Sequence, residues 1–410
     1  MNTTPIRLGL IGVGGMGRWH RQFIQILERE GQVRLAAVAD VSPSALAEAA
    51  TQFNDRALAG YRDFRELLDH ADVDAVAVVT PTPTHAAIAG EVLRRGRPLL
   101  LEKPPAPLVS QLRELMALDA GGRAAVFFQH ICSPGLRHLR QALRDGRLGA
   151  LREIRSVAGW PRGRAYYQRA PWAGKMTADG EPIFDGPCTN AMAHFIHNAL
   201  HLAGAVSGGD DFAMPRTVSG ELYRAGQMES FDTAALRATF DGGVTFSALY
   251  THACRQAVPH VTEARGERGW LRLHEDGSVT ASSAALALPV PAEEHVAFLN
   301  CYRDFLDFLR QRRPRPATRL ADALPFVTTV NAALAAAGGI HSVPAAWVRP
   351  YQQDNDEGVD LDRIGAALTA CLERGALPSE QGLAWARAGR TLTVGELPPL
   401  TVADLAAAAR

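Results

Sequence analysis

The chain has 410 residues, 47% hydrophobic and 21% charged, which is enough to bury a large core and too long for one typical domain. Lysine plus arginine and aspartate plus glutamate number 43 each, so no bulk charge favours nucleic acid or an anionic membrane as a partner. The five cysteines lie far apart and include no C-x-x-C pair, which argues against a disulfide framework or a thiolate zinc site.

The sequence shows no pattern typical of export or membrane insertion. No basic region followed by an apolar segment opens it, and no apolar run approaches the roughly 20 residues that cross a bilayer. We therefore expect a cytoplasmic protein that contacts neither membrane nor nucleic acid and whose partner is a small molecule.

A short apolar run near the amino terminus leads into a glycine-spaced turn. Residues 8–13 are typical of a strand buried on both faces of a parallel sheet, and glycines follow with the spacing G-x-G-x-x-G. Such glycines permit a tight turn, close approach of backbone to a pyrophosphate and close helix packing, and the next helix directs its N–H groups at the phosphates. The predicted cofactor-binding residues of this turn are Gly12, Gly14, Gly15, Met16 and Gly17.

The second predicted strand, 33–40, ends on a carboxylate, Asp40. Asp40 lies about 20 residues beyond the glycine turn, where a dinucleotide-binding domain places the acid that binds the ribose hydroxyls. Val41, Ser42 and Pro43 follow and offer no cation to a 2′-phosphate, so NAD is favoured over NADP, although a nearby loop could still supply one. The alternative is an ordinary aspartate in a turn.

Strands and helices continue to alternate as far as residue 130. Strands are predicted at 75–80, 98–102 and 124–130, with helices between them, and this order implies a parallel sheet. Ligands of such sheets bind beyond the carboxyl ends of the strands, so one crevice is expected there. The further cofactor-binding residues predicted at these strand ends are Thr80, Pro81, Thr82, His85, Glu102, Lys103 and Gln129.

The chain resembles the Gfo/Idh/MocA family of NAD(P)-dependent oxidoreductases over roughly residues 5–345. The likeness is carried by G-V-G-G-M-G at 12–17 followed by His20, A-D at 39–40, T-P-T-P-T-H at 80–85, E-K-P at 102–104 and F-Q-H-I-C-S-P at 128–134. It implies a Rossmann domain followed by an α/β domain whose open, mainly antiparallel sheet often forms an oligomer interface. A homo-oligomer, dimer or tetramer, is therefore expected.

The resemblance assigns a catalytic role to Lys103, because in this family the lysine of E-K-P contacts both the nicotinamide ribose and the substrate. A lysine in a partly desolvated crevice beside a cationic nicotinamide has its charged form disfavoured, which suits proton transfer. The alternative is a solvated loop lysine.

Residues 161–175 mix cations with aromatic side chains and have neither strand nor helix periodicity. Aromatic faces with convergent donors suit a sugar, and they suit a carboxylate equally. A surface loop pinned by its aromatic residues is the alternative. The substrate-binding residues predicted in this segment are Tyr166, Tyr167, Arg169, Trp172 and Lys175.

A helix predicted before Gly204 would carry four polar residues, Asn190, His194, His197 and His201, within about 60° of one another. Family members commonly have D-x-x-x-H-x-x-D here, so the resemblance makes His194 the proton-exchanging histidine. Asn190 replaces the first aspartate, and His197 replaces the second as a substrate-binding residue. The predicted catalytic residues are Lys103, His194, Asn190 and Asp185, the last as a carboxylate that precedes the helix.

Two other interpretations of these histidines stay open. One is a hydrogen-bonded core histidine. The other is a metal site, because His197 and His201 have the i, i+4 spacing of helix-borne ligands, with His194 or Asp185 as a third. The resemblance implies no obligatory metal, and we expect none.

The remaining chain predicts a second sheet and an appended segment. Five segments between 217 and 283 alternate apolar and polar residues, which is typical of a mainly antiparallel sheet, and the resemblance implies that another subunit covers its second face. Helices are predicted at 295–312 and 320–338, and a polar linker at 351–358. The predicted domains are 1–130, dinucleotide-binding; 131–348, substrate-binding; and 349–410, a helical extension.

Together these features predict an α/β protein that acts as an NAD-dependent oxidoreductase on a secondary alcohol or ketone of a sugar, polyol or related carbohydrate-like compound. One alternative is a glycoside hydrolase or lyase that uses NAD for transient oxidation with no net redox change. The other is a non-catalytic, NAD-bound sensor, because a fold does not determine a function.

Overall fold

The computed structural model describes residues 4–53, 58–206, 211–288, 296–353 and 356–410. Its strands are β1 (Ile6–Ile11), β2 (Val33–Ala39), β3 (Ala59–Tyr61), β4 (Ala75–Val78), β5 (Leu99–Glu102), β6 (Ala124–Phe127), β7 (Leu151–Gly159), β8 (Thr177–Ala178), β9 (Glu181–Pro182), β10 (Thr217–Arg224), β11 (Thr233–Thr239), β12 (Thr245–Thr251), β13 (Val258–Gly266), β14 (Gly269–His274), β15 (Val279–Ala281), β16 (His341–Ser342), β17 (Val348–Gln353), β18 (Asp356–Leu361) and β19 (Thr391–Thr393). Its α-helices are α1 (Met16–Arg29), α2 (Pro43–Gln52), α3 (Phe64–His70), α4 (His85–Arg94), α5 (Val109–Leu118), α6 (Pro134–Arg144), α7 (Arg164–Gln168), α8 (Ala193–Gly204), α9 (Val296–Leu309), α10 (Leu320–Ala337), α11 (Ile364–Arg374) and α12 (Val402–Ala408).

The chain divides into two compact units. Unit 1 comprises Met1–Ala106, Gln111–Cys132 and His295–Ala323, and unit 2 comprises Pro107–Ser110, Ser133–Glu294 and Leu324–Arg410.

Two segments lie outside the domains predicted for them. Residues 295–323 belong to unit 1, because Tyr302, Phe305 and Leu306 of α9 pack into its core. Residues 349–410 belong to unit 2 and form no separate extension. The helix predicted from residue 295 begins at a position outside the described residues.

Unit 1 contains a parallel six-stranded sheet in the order β3-β2-β1-β4-β5-β6. Its central strands are apolar on both faces: Leu10 and Val76 are both 0% exposed. The strand order reverses between β1 and β4, and in such sheets the ligand crevice lies at this reversal, beyond the carboxyl ends of the strands. Strand β3 was not predicted, because it has only three residues and no apolar run.

Unit 2 contains a nine-stranded sheet in the order β15-β14-β13-β7-β12-β11-β10-β16, with β19 also paired to β10. The β7–β12 and β10–β16 pairs are parallel, and the other pairs are antiparallel. The predicted fold class is therefore confirmed for both units.

The chain itself covers both faces of the large sheet. On one face Leu249 clusters with Leu368 of α11 and with Trp385. On the other face Phe195 of α8 stacks on His260, with ring centroids 3.4 Å apart. The resemblance implied that another subunit covers one face of the sheet, and in this structure residues 361–385 pack on part of one face.

The predicted linker at 351–358 is instead part of a hairpin. Strands β17 and β18 pair in antiparallel fashion from Val348↔Leu361 to Gln353↔Asp356, and residues 354 and 355 lie outside the described part of the chain.

One described helix, α10, is long and apolar enough to cross a membrane, and 78% of it is buried within the protein.

Candidate functional site

The glycine turn between β1 and α1 has two positions that require glycine. Gly12 has φ +87°, and a Cβ there would lie 2.5 Å from the carbonyl oxygen of Val79 on the neighbouring strand end. A Cβ at Gly17 would lie 2.2 Å from the carbonyl oxygen of Gly12. Gly14 is less constrained, because its Cβ would meet Ala45 at an ordinary 3.6 Å. The turn therefore brings bare backbone against strand and helix, as a phosphate-binding turn requires.

Helix α1 begins at Met16 with Gly15, at φ +44°, as its N-cap, and no side chain caps it. The first N–H groups of an α-helix have no partners within the helix and carry the positive end of its dipole. Met16, predicted to contact cofactor, is 48% exposed at this end. This end of α1 suits an anion such as a pyrophosphate.

Asp40 joins the end of β2 to the glycine turn. Its Oδ2 accepts hydrogen bonds from the backbone N–H of Val13 (2.8 Å) and Gly14 (3.1 Å), and its Oδ1 accepts one from Ser42 N–H (2.9 Å). A carboxylate has about four acceptor sites, so one is left for a ribose hydroxyl. Arg62 lies beside this loop and donates to the carbonyl oxygen of Val41 (3.2 Å), a cation that sequence reasoning left open.

The T-P-T-P-T-H segment follows β4 as a short 3₁₀ turn at Thr82–Thr84 that Pro81 precedes. His85 is 1% exposed, and its Nδ1 and Nε2 lie 2.7 Å from the carbonyl oxygens of Pro104 and Thr80, respectively. Burial lowers the pKa of His85, and the two hydrogen bonds oppose this effect. The ring of His85, a predicted cofactor-binding residue, thus joins two strand-end loops.

Glu102 ends β5 and is 5% exposed. Its Oε1 lies 3.1 Å from His20 Nε2, and its Oε2 accepts the backbone N–H of Lys103 (2.7 Å). Burial alone would raise the pKa of Glu102, but the hydrogen bond to His20 and the nearby charges, including that of Lys103, hold it below its usual value. A buried, ionised carboxylate therefore lies directly beside Lys103.

Gln129 follows β6, and its Oε1 is buried without a hydrogen-bond partner among the described residues. A buried polar atom without a partner is costly unless a ligand or water satisfies it. This atom, the bare glycine turn and the open acceptor site of Asp40 fit a bound dinucleotide.

In unit 2, Asp185 and Asn190 lie together on irregular backbone before α8. Asp185 is 4% exposed; its Oδ1 accepts from Asn190 Nδ2 (2.8 Å) and its Oδ2 from Gly174 N–H (2.7 Å). Arg169 adds a guanidinium nitrogen 3.8 Å from Oδ2, and Lys175 follows Gly174 directly in the chain.

The predicted polar helix face differs from the structure. Pro187–Ala191 is a π-helical turn and α8 begins at Ala193, so Asn190 does not share the regular helical spacing of the histidines. Helix α8 is buried along its whole length, His194 included at 6% exposed.

The other two histidines of α8 pack against Phe212. Their ring centroids lie 4.5 Å (His197) and 4.6 Å (His201) from that of Phe212, and His201 Nδ1 is 2.9 Å from the carbonyl oxygen of Asp211. His197, predicted to bind substrate, is 0% exposed. Within the described ranges, no group of three or more histidine, cysteine, aspartate or glutamate residues is placed to hold a metal ion.

The aromatic segment 161–175 forms one cluster and includes the short helix α7. The Arg169 guanidinium lies 3.7 Å from the ring centroid of Tyr166 and 4.7 Å from that of Trp172. The Tyr167 hydroxyl is 2.9 Å from His252 Nδ1. The structure therefore brings these predicted residues together.

Tyr167 also lines a cavity of about 480 Å³ within unit 2. Its wall continues through the turn after β10, the end of β12 and the hairpin β17–β18. Its buried polar residues are His252 and Asp232, both 1% exposed.

Sequence reasoning missed these two residues, although each stands next to a predicted strand end. Burial, with the charges of Arg162 and Arg169, lowers the pKa of His252 to about 3, so the ring is neutral. Its Nε2 is buried and has no hydrogen-bond partner in the described structure. Burial raises the pKa of Asp232 to about 6 against the hydrogen bonds from backbone N–H groups.

Comparison with known proteins identifies the family. The model "Oxidoreductase family, NAD-binding Rossmann fold" matches residues 6–130, and the model "GFO/IDH/MocA C-terminal domain" matches residues 136–272. Together they match more than half of the chain. The chain belongs to the Gfo/Idh/MocA family of oxidoreductases. The predicted family is confirmed, and NAD is the cofactor of its amino-terminal domain.

Relatives of this Gfo/Idh/MocA protein include two inositol dehydrogenases. It is 35% identical over 147 residues to inositol 2-dehydrogenase of Acidothermus cellulolyticus, an alignment that covers 35% of this chain and 42% of that protein. It is 28% identical over 320 residues to inositol 2-dehydrogenase 2 of Paenarthrobacter aurescens, covering 73% and 85%. The alignment thus spans less than half the length of the first relative.

A solved structure shows the same fold. The WlbA dehydrogenase of Bordetella pertussis, crystallised with NADH and UDP-GlcNAcA, aligns with a TM-score of 0.67 and 21% identity over 82% of this chain and 97% of that one. The family models end at residue 272, so they do not include the hairpin β17–β18 that closes the cavity.

Proposed function

We propose that the protein is an NAD-dependent oxidoreductase that acts on a secondary alcohol or ketone of a sugar, polyol or related compound. The observation that carries the proposal is the strand-end crevice of unit 1, where bare glycine backbone, an aspartate with one open acceptor site and the E-K-P lysine follow the parallel strands β1, β2 and β5, respectively. The inositol dehydrogenases among its relatives supply the substrate class.

The residues of unit 1 have separate proposed roles toward the cofactor. Gly12 and Gly17 shape the turn, the backbone at Gly14 and the N-terminus of α1 bind the pyrophosphate, and Asp40 accepts a ribose hydroxyl. Bound NAD supplies the hydride acceptor. Lys103 holds or moves the proton of the reacting hydroxyl group, beside the ionised Glu102.

In unit 2 we assign His194 as the proton-exchanging histidine. Asp185 is the carboxylate of this region, and Asn190 and Gly174 hold it in place by donating one hydrogen bond to each of its oxygens. It therefore supplies the negative charge that is missing where Asn190 replaces an aspartate.

The cavity of unit 2 is the proposed place of the substrate's hydroxyl groups. If the Tyr167 hydroxyl donates to His252 Nδ1, Nε2 carries the hydrogen and donates to a ligand oxygen, while Asp232 accepts from a ligand hydroxyl. Met228 and Tyr351 add apolar surface for the CH groups of a sugar. A volume near 480 Å³ is ordinary for a small-molecule site.

We also propose a cytoplasmic location and a homo-oligomer. Residues 361–385 pack on one face of the central strands of the large sheet and α8 packs on the other, so a subunit interface on these strands would have to include one of the two segments. Size-exclusion chromatography with light scattering measures the mass in solution.

The test is a screen of inositols, sugars and polyols with NAD and NADP, followed by absorbance at 340 nm and by product analysis. Net formation of NADH supports the proposal. Product without NADH would instead identify redox-neutral elimination or hydrolysis, and binding without any product would identify a sensor.

A further inference from the structure

A buried line of hydrogen bonds runs beneath the E-K-P segment. His20, on α1, is 1% exposed; its Nδ1 lies 2.7 Å from the hydroxyl of Tyr302 and its Nε2 lies 3.1 Å from Glu102 Oε1. Glu102 Oε2 accepts the backbone N–H of Lys103 at 2.7 Å. The line therefore connects Tyr302 on α9 to the backbone of Lys103 within unit 1.

The imidazole of His20 is held at both of its nitrogens. Its Nε2–H donates to the ionised Glu102, and its Nδ1 lies 2.7 Å from the Tyr302 hydroxyl. Aromatic rings hold the imidazole in place, with centroids 4.7 Å (Phe127), 5.4 Å (Phe298) and 5.7 Å (Tyr302) away. A buried carboxylate that lost its donor would be strongly disfavoured in its charged form.

Lysine is rare in this chain, so few side chains carry an amine that can release a proton. Of the 43 lysine and arginine residues only Lys103 and Lys175 are lysine. Arginine stays protonated in proteins, whereas a lysine amine can lose its proton. Lys103 is thus one of two side chains in the chain that can offer an ammonium or an amine, and it lies close enough to Glu102 for its charge to act on that carboxylate.

We propose that His20, supported by Tyr302, is a positioning residue for Lys103: by keeping Glu102 fixed and ionised, it holds the backbone and the charge state of the lysine. This inference rests on the proposed function. His20 is assigned no contact with substrate or cofactor and acts only through Glu102.

Three variants separate positioning from packing. His20→Phe keeps a ring in the aromatic cage and removes both hydrogen bonds; His20→Gln keeps a donor toward Glu102. Phe298→Leu is the matched control, because it disturbs the cage and leaves the hydrogen bonds intact. We expect kcat to fall about ten- to 100-fold in His20→Phe, with KM and the NADH dissociation constant within about two-fold of wild type. His20→Gln and Phe298→Leu should keep kcat within about three-fold.

Amine labelling gives a readout that needs no turnover. Brief acetylation followed by peptide mass spectrometry reports Lys103, with Lys175 in unit 2 as the internal reference. When Glu102 loses its donor and its charge, the Lys103 ammonium loses a stabilising anion and more neutral amine is present. The Lys103 to Lys175 labelling ratio should therefore rise at least about three-fold in His20→Phe and in Glu102→Gln, and stay unchanged in His20→Gln.

The outcomes are distinguishable. Wild-type kcat in His20→Phe, or an equal loss in Phe298→Leu, would overturn the positioning role. If His20→Phe fails to fold, Tyr302→Phe, which removes only the outer hydroxyl, should still lower kcat with KM unchanged, and no effect would count against the proposal. An inactive wild type would refute the proposed function instead, and an unchanged labelling ratio would then refute the action of His20 on Lys103.

Discussion

The two units hold their candidate residues on different kinds of backbone. In unit 1 the residues follow parallel strands, and hydrogen bonds between side chains and backbone join their loops. Asp40 binds the glycine turn in this way, and His85 lies between the carbonyl oxygens of Thr80 and Pro104. In unit 2 Asp185 and Asn190 lie on irregular backbone before α8, and a hairpin distant in sequence closes the cavity. Regular repeats thus place the cofactor residues, whereas long-range packing places the proposed substrate residues.

The largest expected effect is a loss of turnover when one proposed catalytic residue of either unit is removed. Lys103→Ala and His194→Ala should each lower turnover by about 10²- to 10⁴-fold, because both remove a proposed proton-transfer group. Steady-state kinetics with the best substrate of the screen measures it, and NADH fluorescence titration should show affinity within about two-fold of wild type.

Lys103→Arg is the matched control in unit 1. It keeps the positive charge and removes the amine that can release a proton, so it should be nearly as inactive as Lys103→Ala. Recovery of most activity by arginine would mean that only the charge matters, and loss of NADH binding by both alanine variants would indicate a structural role.

The second prediction concerns cofactor binding in unit 1. Gly12→Ala and Gly17→Ala should weaken NADH binding by at least about 100-fold or prevent folding, because the added methyl group would overlap a backbone oxygen. Gly14→Ala is the matched control for folding and should leave thermal stability nearly unchanged, since its methyl group meets only ordinary contacts within the protein. Equal losses of thermal stability at all three positions would contradict this steric explanation. Fluorescence titration and thermal melting distinguish lost binding from lost folding.

The difference between strand-end residues in unit 1 and residues on irregular backbone in unit 2 explains how much of each unit the sequence could predict. Apolar runs recur along unit 1, one followed by the glycine turn and two ending on an acid, so the parallel sheet and the strand-end positions of Asp40 and Lys103 followed from local patterns. The partners of the His85 ring did not follow from such patterns, because position at a strand end does not reveal where a ring turns; its two nitrogens lie 2.7 Å from the carbonyl oxygens of Pro104 and Thr80.

Unit 2 was predictable only in part. Alternating residues located its strands, with β10 at the predicted bounds. The π-helical turn at Pro187–Ala191 changed the register of Asn190, which a regular helical projection cannot anticipate. His252 and the hairpin β17–β18 contribute to the cavity only through contacts between segments far apart in the chain, and a local pattern carries no information about them.

The third prediction tests the cavity of unit 2 against the crevice of unit 1. His252→Leu should raise KM about ten-fold with kcat within about two-fold, because it removes a buried donor that binds substrate and transition state equally. Arg164→Gln is the matched control: its ion pair with Glu357 is at the exposed rim, so KM should change less than about two-fold. A fall in kcat without a change in KM would place His252 in the chemistry instead of substrate binding.

The smallest effect is the pH dependence of stability, which has the same origin in both units. The folded-state pKa of His252 is about 3 and that of His85 is also lowered, in both cases chiefly by burial, so the unfolded chain binds more protons than the folded one below about pH 6.5. The contribution of these histidines to the free energy of unfolding is therefore at its full value above that pH. It falls as the pH decreases, by up to about 1.4 kcal/mol per pH unit for one such group. Urea unfolding measures the free energy of unfolding at pH 7 and at pH 5.5. The difference between these two free energies should be smaller in His252→Gln and in His85→Gln than in wild type.

Asp232 supplies the opposite sign in unit 2. Its pKa of about 6 in the folded state lies above the usual value, so protonation between pH 6 and about 3.8 favours the folded chain, and its contribution increases as the pH falls. Asp232→Asn removes this compensation and should make the acid loss of stability steeper than in wild type. An unchanged or shallower slope would mean that hydrogen bonds from Ala225 and Gly226 keep the carboxylate ionised despite its burial.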